Sequence, residues 1–157
     1  MALLEQNEYL VEIAEHVEDR EALFELRILV FVVEQGVPLE EELDSHDVLA
    51  THFFVRHPAS IEVVSRGIVG AARLVDKKEG VGKVGRVAIH QDHRGKGAGA
   101  LLMRGVERFA RSQGYVELML EAQIAAEGFY SKLGYVGEGE LFLDCDIVHR
   151  LMRKRLE

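Results

Sequence analysis

Apolar positions recur with a period of two in some stretches of the chain and with helical spacing in others, and the changes outline its elements. Tyr9-Leu10-Val11-Glu12-Ile13 reads as a short strand. Asp19 is a residue type that caps helix N-termini, and helical spacing runs from there to about Glu34. Leu23, Leu26, Arg27, Val30 and Phe31 fall near one face of that helix, and four of them are expected in the core. The period breaks over Gln35 to Asp47, which holds Gly36, Pro38, Glu40, Glu41, Glu42, Asp44 and Asp47 without a Lys or Arg. A loop or short irregular helix is expected there.

Leu49 to Arg56 and about Arg66 to Val75 read as two strands that suit an antiparallel hairpin or meander. After the turn Asp76-Lys77-Lys78-Glu79-Gly80, Lys83 to Ile89 is a further strand, with Val84, Val87 and Ile89 supplying its apolar content. Leu101, Leu102, Val106, Phe109 and Ala110 then recur at helical spacing between Ala98 and about Gln113, and Gly114 is a natural stop. Val116 to Leu120 is a strand, Ala125 to Leu133 a short helix, and Gly134-Tyr135 a turn into strand-like segments reaching about Met152. The order βαβββαβαββ predicts an α/β fold of the α+β kind: a mixed, mostly antiparallel sheet with flanking helices. One parallel strand pair in it embraces the Gly-rich crossover.

With 157 residues, 48% of them hydrophobic, the chain suffices for one core, so a single domain over 1–157 is expected. Apolar runs such as Ile28 to Val33 fall far short of the roughly 18 to 20 residues that span a bilayer, and no membrane span is expected. The start, Met1-Ala2-Leu3-Leu4-Glu5, lacks a basic leader, and the one cysteine, Cys145, cannot form an internal disulfide; both suit a cytoplasmic protein. Cys145 lies in a strand-like run, where a semi-buried thiol is expected. The seven histidines are scattered, with no H-E-x-x-H or paired-cysteine motif, so no metal site is expected. A net charge of −8 argues against sequence-independent nucleic-acid binding and requires that any anionic cofactor be met by local positive charge.

Such a locality exists at Arg94-Gly95-Lys96-Gly97-Ala98-Gly99. The three glycines let backbone approach a ligand, and the helix that follows points its unpaired N–H groups the same way, which together make an anion site. Arg94 and Lys96, with His93 nearby, add positive charge. The segment also satisfies the dinucleotide pattern G-x-G-x-x-A, with Glu117 or Glu121 roughly 20 residues on. A dinucleotide loop normally follows its strand at once, however, and here His90 to Arg94 intervene with too few parallel strands after them. No Lys followed by Ser or Thr ends the loop, so it is not a P-loop.

Val87-Ala88-Ile89, a short polar loop and Arg94-x-x-Gly97-x-Gly99 resemble the signature of the GNAT acetyltransferase superfamily, Gln/Arg-x-x-Gly-x-Gly/Ala. Leu120-Glu121-Ala122-Gln123, Ala126, Phe129-Tyr130 and Lys132-Leu133-Gly134-Tyr135 resemble its second cofactor motif. Leu26-Arg27, Val30 to Gln35, Asp44, Asp47, His52, Ile147-Val148-His149 and Met152 are similar to the small bacterial ElaA-like branch. The likeness covers nearly the whole chain.

The resemblance implies a GNAT fold whose central parallel strands splay into a V that takes acetyl-CoA as co-substrate. It assigns Val87, Ala88 and Ile89 to the pantetheine, and Arg94, Gly95, Lys96, Gly97, Ala98 and Gly99 to the pyrophosphate, with Gln123, Phe129 and Tyr130 completing the cofactor contacts. An acetyl group would pass to a primary amine by direct attack in a ternary complex, with Tyr130 protonating the leaving sulfur. Glu121, His90, Glu34 and His149 are the candidate bases. The acidic stretch Glu34 to Asp47 is expected to draw a cationic amine toward the cleft, and Arg27 is expected to meet an internal acid. Two readings stand beside this one: a non-catalytic acyl-CoA-binding sensor or interaction module and, more remotely, a dinucleotide-binding oxidoreductase. The acceptor amine stays unnamed, and a homodimer is left open.

Overall fold

The computed structural model describes residues 2–60 and 64–157. These residues form an eight-stranded sheet of β1 (Ala2–Gln6), β2 (Tyr9–Ile13), β3 (Thr51–Arg56), β4 (Ile68–Asp76), β5 (Val81–Ile89), β6 (Glu117–Gln123), β7 (Val136–Asp144) and β8 (Ile147–Arg155). Their order across the sheet is β1-β2-β3-β4-β5-β6-β8-β7. Neighbours are antiparallel except β5 and β6, whose parallel pairing spans the crossover through α4 (Ala98–Ser112). The other α-helices are α1 (Val17–Arg27), α2 (Leu39–Glu42), α3 (His46–Leu49) and α5 (Glu127–Lys132). No helix among the described residues is long and apolar enough to cross a membrane.

Strand alternation sends residues to the two faces of the sheet in turn, and each face carries its own core. Phe53 and Val55 join Val11, Leu74, Val84, Leu118 and Met152 beneath Leu102, Val106 and Ala110 of α4. Phe54, between them in β3, faces the other way and packs with Ile68, Ala71 and Ala88 against Leu23 and Leu26 of α1. Gly105 brings α4 close to the sheet, since a Cβ there would stand 2.7 Å from Val11 Cγ1.

The structure corrects the sequence reading at several points. β1 was not expected; it pairs with β2 through Asn7 and Glu8, both in the left-handed region, a turn that carries no glycine signal. Helix α1 begins at Val17 after His16, and Asp19 is no cap. Its buried carboxylate instead accepts from Arg56 Nη2 at 2.8 Å and Arg66 Nε at 2.7 Å. The helix also does not continue regularly to Glu34. Ile28–Glu34, a β-branched run, widens into a π-helical turn, where the Gln35 N–H bonds to the Val30 carbonyl five residues back. Leu49 ends α3 rather than starting a strand, and Arg66 lies in a short 3₁₀ turn before β4. Cys145 is exposed at the β7–β8 turn with φ 49°, not semi-buried in a strand.

Candidate active site

The parallel pairing of β5 and β6 runs from Val81 opposite Glu117 to Val84 opposite Leu120 and stops. Past that point β5 continues to Ile89 along β4, while β6 continues to Gln123 along β8, so the two strands part. A bulge marks the place: Arg86 and Val87 together oppose one β4 residue between the Ala71–Ala88 and Arg73–Gly85 pairs. Arg86 takes φ 53°, a left-handed conformation rare for a residue with a long side chain.

A cleft of about 470 Å³ opens beside this divergence. Tyr130, Glu121, Gln123, Val87 and His149, all expected site residues, line it together. Tyr130 is 7% exposed and its hydroxyl has no hydrogen-bond partner among the described residues, while burial pushes its ionisation far above the ordinary range. His149 is 9% exposed, opposite Gln123 in the β6–β8 register and stacked on Phe142. Its Nδ1 lies 2.7 Å from the Ile147 carbonyl, which can only accept, so in the neutral ring the free lone pair sits on Nε2. Glu121 is less free, because Lys83 Nζ donates to its Oε1 at 2.7 Å.

The segment from Val37 to His46 lines one side of this cleft, and arginines from three elements anchor it and the adjoining Asp47. Arg27 of α1 donates through Nε to Glu42 Oε1 at 2.9 Å and through Nη1 to Asp47 at 2.8 Å. Arg73 of β4 holds Asp44 with Nη1 at 2.6 Å and Nη2 at 2.9 Å, and Arg86 from the bulge reaches Glu42 and Asp44 at 3.2 and 3.1 Å. The Arg73 hydrogen bonds, before all else, hold the Asp44 carboxyl down at about 2. The expected internal partner of Arg27 is thus found. Within the acidic stretch Glu42, Asp44 and Asp47 are not free to attract a cation, because they are paired with these guanidiniums.

Gly95 (φ 77°) and Gly97 (φ 85°) turn the chain into α4, and the space where either Cβ would stand is empty to 4 Å. The first intrahelical bond is Leu101 N–H to the Gly97 carbonyl, which leaves the N–H groups of Ala98, Gly99 and Ala100 without intrahelical partners. Gly99 has a packing role instead: its Cβ would meet Phe129 Cζ at 3.2 Å. Lys96 is exposed. Arg94 is tied back, donating through Nε to the Ile89 carbonyl at 2.9 Å and through Nη2 to Glu34 at 3.0 Å. His93 anchors the loop from below, within 2.8 Å of both Tyr9 Oη and Ser60 Oγ.

Two candidate bases therefore sit outside the cleft lining. Glu34 engages Arg94, and buried His90 follows β5 on the side of His93, its Nδ1 accepting from the Asp92 N–H at 3.2 Å. Ala88 is buried toward α1 and Ile89, partly buried, packs on the α4 side. Lys83, Arg73, Arg86 and Gln35 were missed. Gln35 exchanges amide bonds with Gln123 at 2.8 and 3.4 Å. The one sequence signal for Lys83 and Arg73 was their inward-facing parity within strands whose pairing was not yet known.

The model of the acetyltransferase (GNAT) domain family matches residues 52–156. YjcF of Bacillus subtilis (strain 168), an uncharacterized N-acetyltransferase, is 37% identical over 144 residues, which cover 90% of this chain and 96% of YjcF. Among solved structures, an acyl-CoA N-acyltransferase from Pseudomonas aeruginosa is 29% identical with a TM-score of 0.77, covering 93% of this chain and 97% of its own. Escherichia coli ElaA is 25% identical with a TM-score of 0.78, covering 94% and 98%. The splayed mixed sheet is accordingly the GNAT fold, and the chain belongs to the GNAT acetyltransferase family, a family of acyltransferases.

Proposed function

We propose that this chain transfers an acetyl group from acetyl-CoA to a primary amine. The observation that carries the reading is the meeting, in one cleft at the point where β5 and β6 part, of an unpartnered Tyr130 hydroxyl and the free Nε2 of His149. The residues present suit the co-substrate. Open β5 backbone beyond Val84 would pair with an extended pantetheine, and Gly95, Gly97 and the free N–H groups of α4 would hold its pyrophosphate. Acetyl-CoA, when bound, supplies an activated thioester carbonyl.

The amine nitrogen attacks that carbonyl carbon as the carbon–sulfur bond breaks. His149 Nε2 takes the proton that the nitrogen loses, and Tyr130, kept protonated by burial, gives one to the departing sulfur. Glu121 serves this reading as the anchor of Lys83. Free thiol released from acetyl-CoA in the presence of an amine panel tests the activity. Tyr130→Phe should lower kcat by about a hundredfold with little change in the KM for acetyl-CoA. Undiminished turnover in Tyr130→Phe removes the acid role, and undiminished turnover in His149→Gln removes the base role.

A further inference from the structure

We infer that the acceptor is an aliphatic di- or polyamine whose distal ammonium is held at the mouth of the cleft, between Glu40 and Glu41 on one wall and Asp144 on the other. The inference rests on the acyl-transfer reading of this cleft. Its starting point is which lining charges are already satisfied. Glu42 and Asp44 are paired with the arginines, and Glu121 with Lys83. Glu40, Glu41 and Asp144 line the same cleft and form no ion pair among the described residues; Lys77 is the one lining Lys or Arg likewise free. Four cations stand against six carboxylates in the lining, and the surplus negative charge lies on exposed side chains at the mouth.

These carboxylates are not an isolated acidic patch. They open onto a floor where two side chains more than nine-tenths buried, Tyr130 and His149, present unpartnered polar atoms.

Spacing selects the ligand further. His149 lies opposite Phe142 and Ile147 opposite Asp144, so the Asp144 row is two residues, roughly 7 Å, along β8 from the His149 row and on the same face. An extended four-carbon diamine covers that distance, with its neutral nitrogen at His149 and its charged one at Asp144. Acylation forms one carbon–nitrogen bond, releases the thiol and leaves the second ammonium unchanged.

The test compares putrescine, spermidine and butylamine as acceptors, with wild type and a Glu41→Gln/Asp144→Asn double variant. In wild type, putrescine should exceed butylamine in kcat/KM, mainly through KM. The double variant should shrink that ratio by about tenfold, the combined effect expected of two exposed charge contacts. Equal use of butylamine and putrescine by wild type, or a ratio the variant leaves intact, overturns the inference. If acetyl-CoA binds and no amine turns over, the catalytic reading fails. Calorimetry of putrescine against the CoA-loaded protein then decides: binding lost in the double variant upholds the rim site, and no binding overturns it.

Discussion

Replacing Arg27 by Met removes the cation that holds the segment from Glu42 to Asp47 onto the sheet. The side chain is 1% exposed and gives three hydrogen bonds to two carboxylates and a fourth to the Glu42 backbone carbonyl, while Glu42, also 1% exposed, loses its shortest partner. Asp47 keeps Arg73 at 2.9 Å, but Glu42 keeps only Arg86, at 3.2 Å, and its Oε2 has no partner even in the native protein. The cost therefore resides mostly in Glu42, a buried carboxylate left under-compensated, and should be about 3–5 kcal/mol. Met fills most of the Arg stem's volume, so little of that is lost packing. The lost cation–π contact with Phe24, at 4.9 Å, adds about 1 kcal/mol. Urea unfolding at neutral pH reads the difference. If the stranded charge is the cause, Arg27→Met/Glu42→Met will be more stable than Arg27→Met alone, since the second change removes the uncompensated group. A single-variant cost below about 1 kcal/mol, or a double variant that merely adds the two losses, would refute the reasoning.

Gly105→Ala should destabilise the protein by about 1 kcal/mol in the same assay: the helix gains up to about 1 kcal/mol in propensity, but a Cβ 2.7 Å from Val11 Cγ1 costs about 1–3 by overpacking. The Cβ of Gly97→Ala meets no neighbour, so its penalty is the left-handed backbone alone, about 1–2 kcal/mol, and it should weaken acetyl-CoA binding measured by calorimetry. Asp44 ionises near 2 in the fold against an ordinary 3.8, so its stabilisation is present above 3.8 and lost as pH falls toward 2. The shift converts to about 2.4 kcal/mol, reduced to ~1 by solvent screening, and the stability gap between wild type and Asp44→Asn should close over that window. Burial, foremost, lowers both His52 and His93. The unfolded chain therefore takes up protons first, and stability should fall as pH drops below the ordinary 6.5, less steeply in His93→Gln.

The elements most legible in the sequence were those whose signals are local. Helix α4 was expected from Ala98 to about Gln113 and runs Ala98–Ser112, because a long amphipathic period is bracketed by two glycines that take positive φ, Gly97 and Gly114. The β1–β2 turn and the β5 bulge escaped because Asn7, Glu8 and Arg86 adopt left-handed backbone without the glycine that usually announces it. The four candidate bases could not be ranked from sequence because facing depends on strand register. Glu121 and Gln123 share a face of β6, and His149 arrives opposite Gln123 only through the β6–β8 pairing. His90 sits one residue past the end of β5, too far around to share their cleft.

The acidic stretch shows why counting charges along a chain misjudges their function. Glu42, Asp44 and Asp47 draw their partners from α1, β4 and the β5 bulge, all remote in sequence, and Arg86 reaches its place only because the bulge turns it toward the covering segment. Their charge fixes that segment against the divergence of β5 and β6. Glu40 and Glu41, neighbours in the same run, have no such partners among the described residues and line the cleft. One acidic run therefore does two separable jobs: neutralising its inner carboxylates should loosen the fold, whereas neutralising the outer ones should leave the fold intact and alter acceptor binding. A denaturation curve and an acceptor KM, measured on Asp47→Asn and on Glu40→Gln/Glu41→Gln, should respond in opposite order, and parallel responses would mean that the division is wrong.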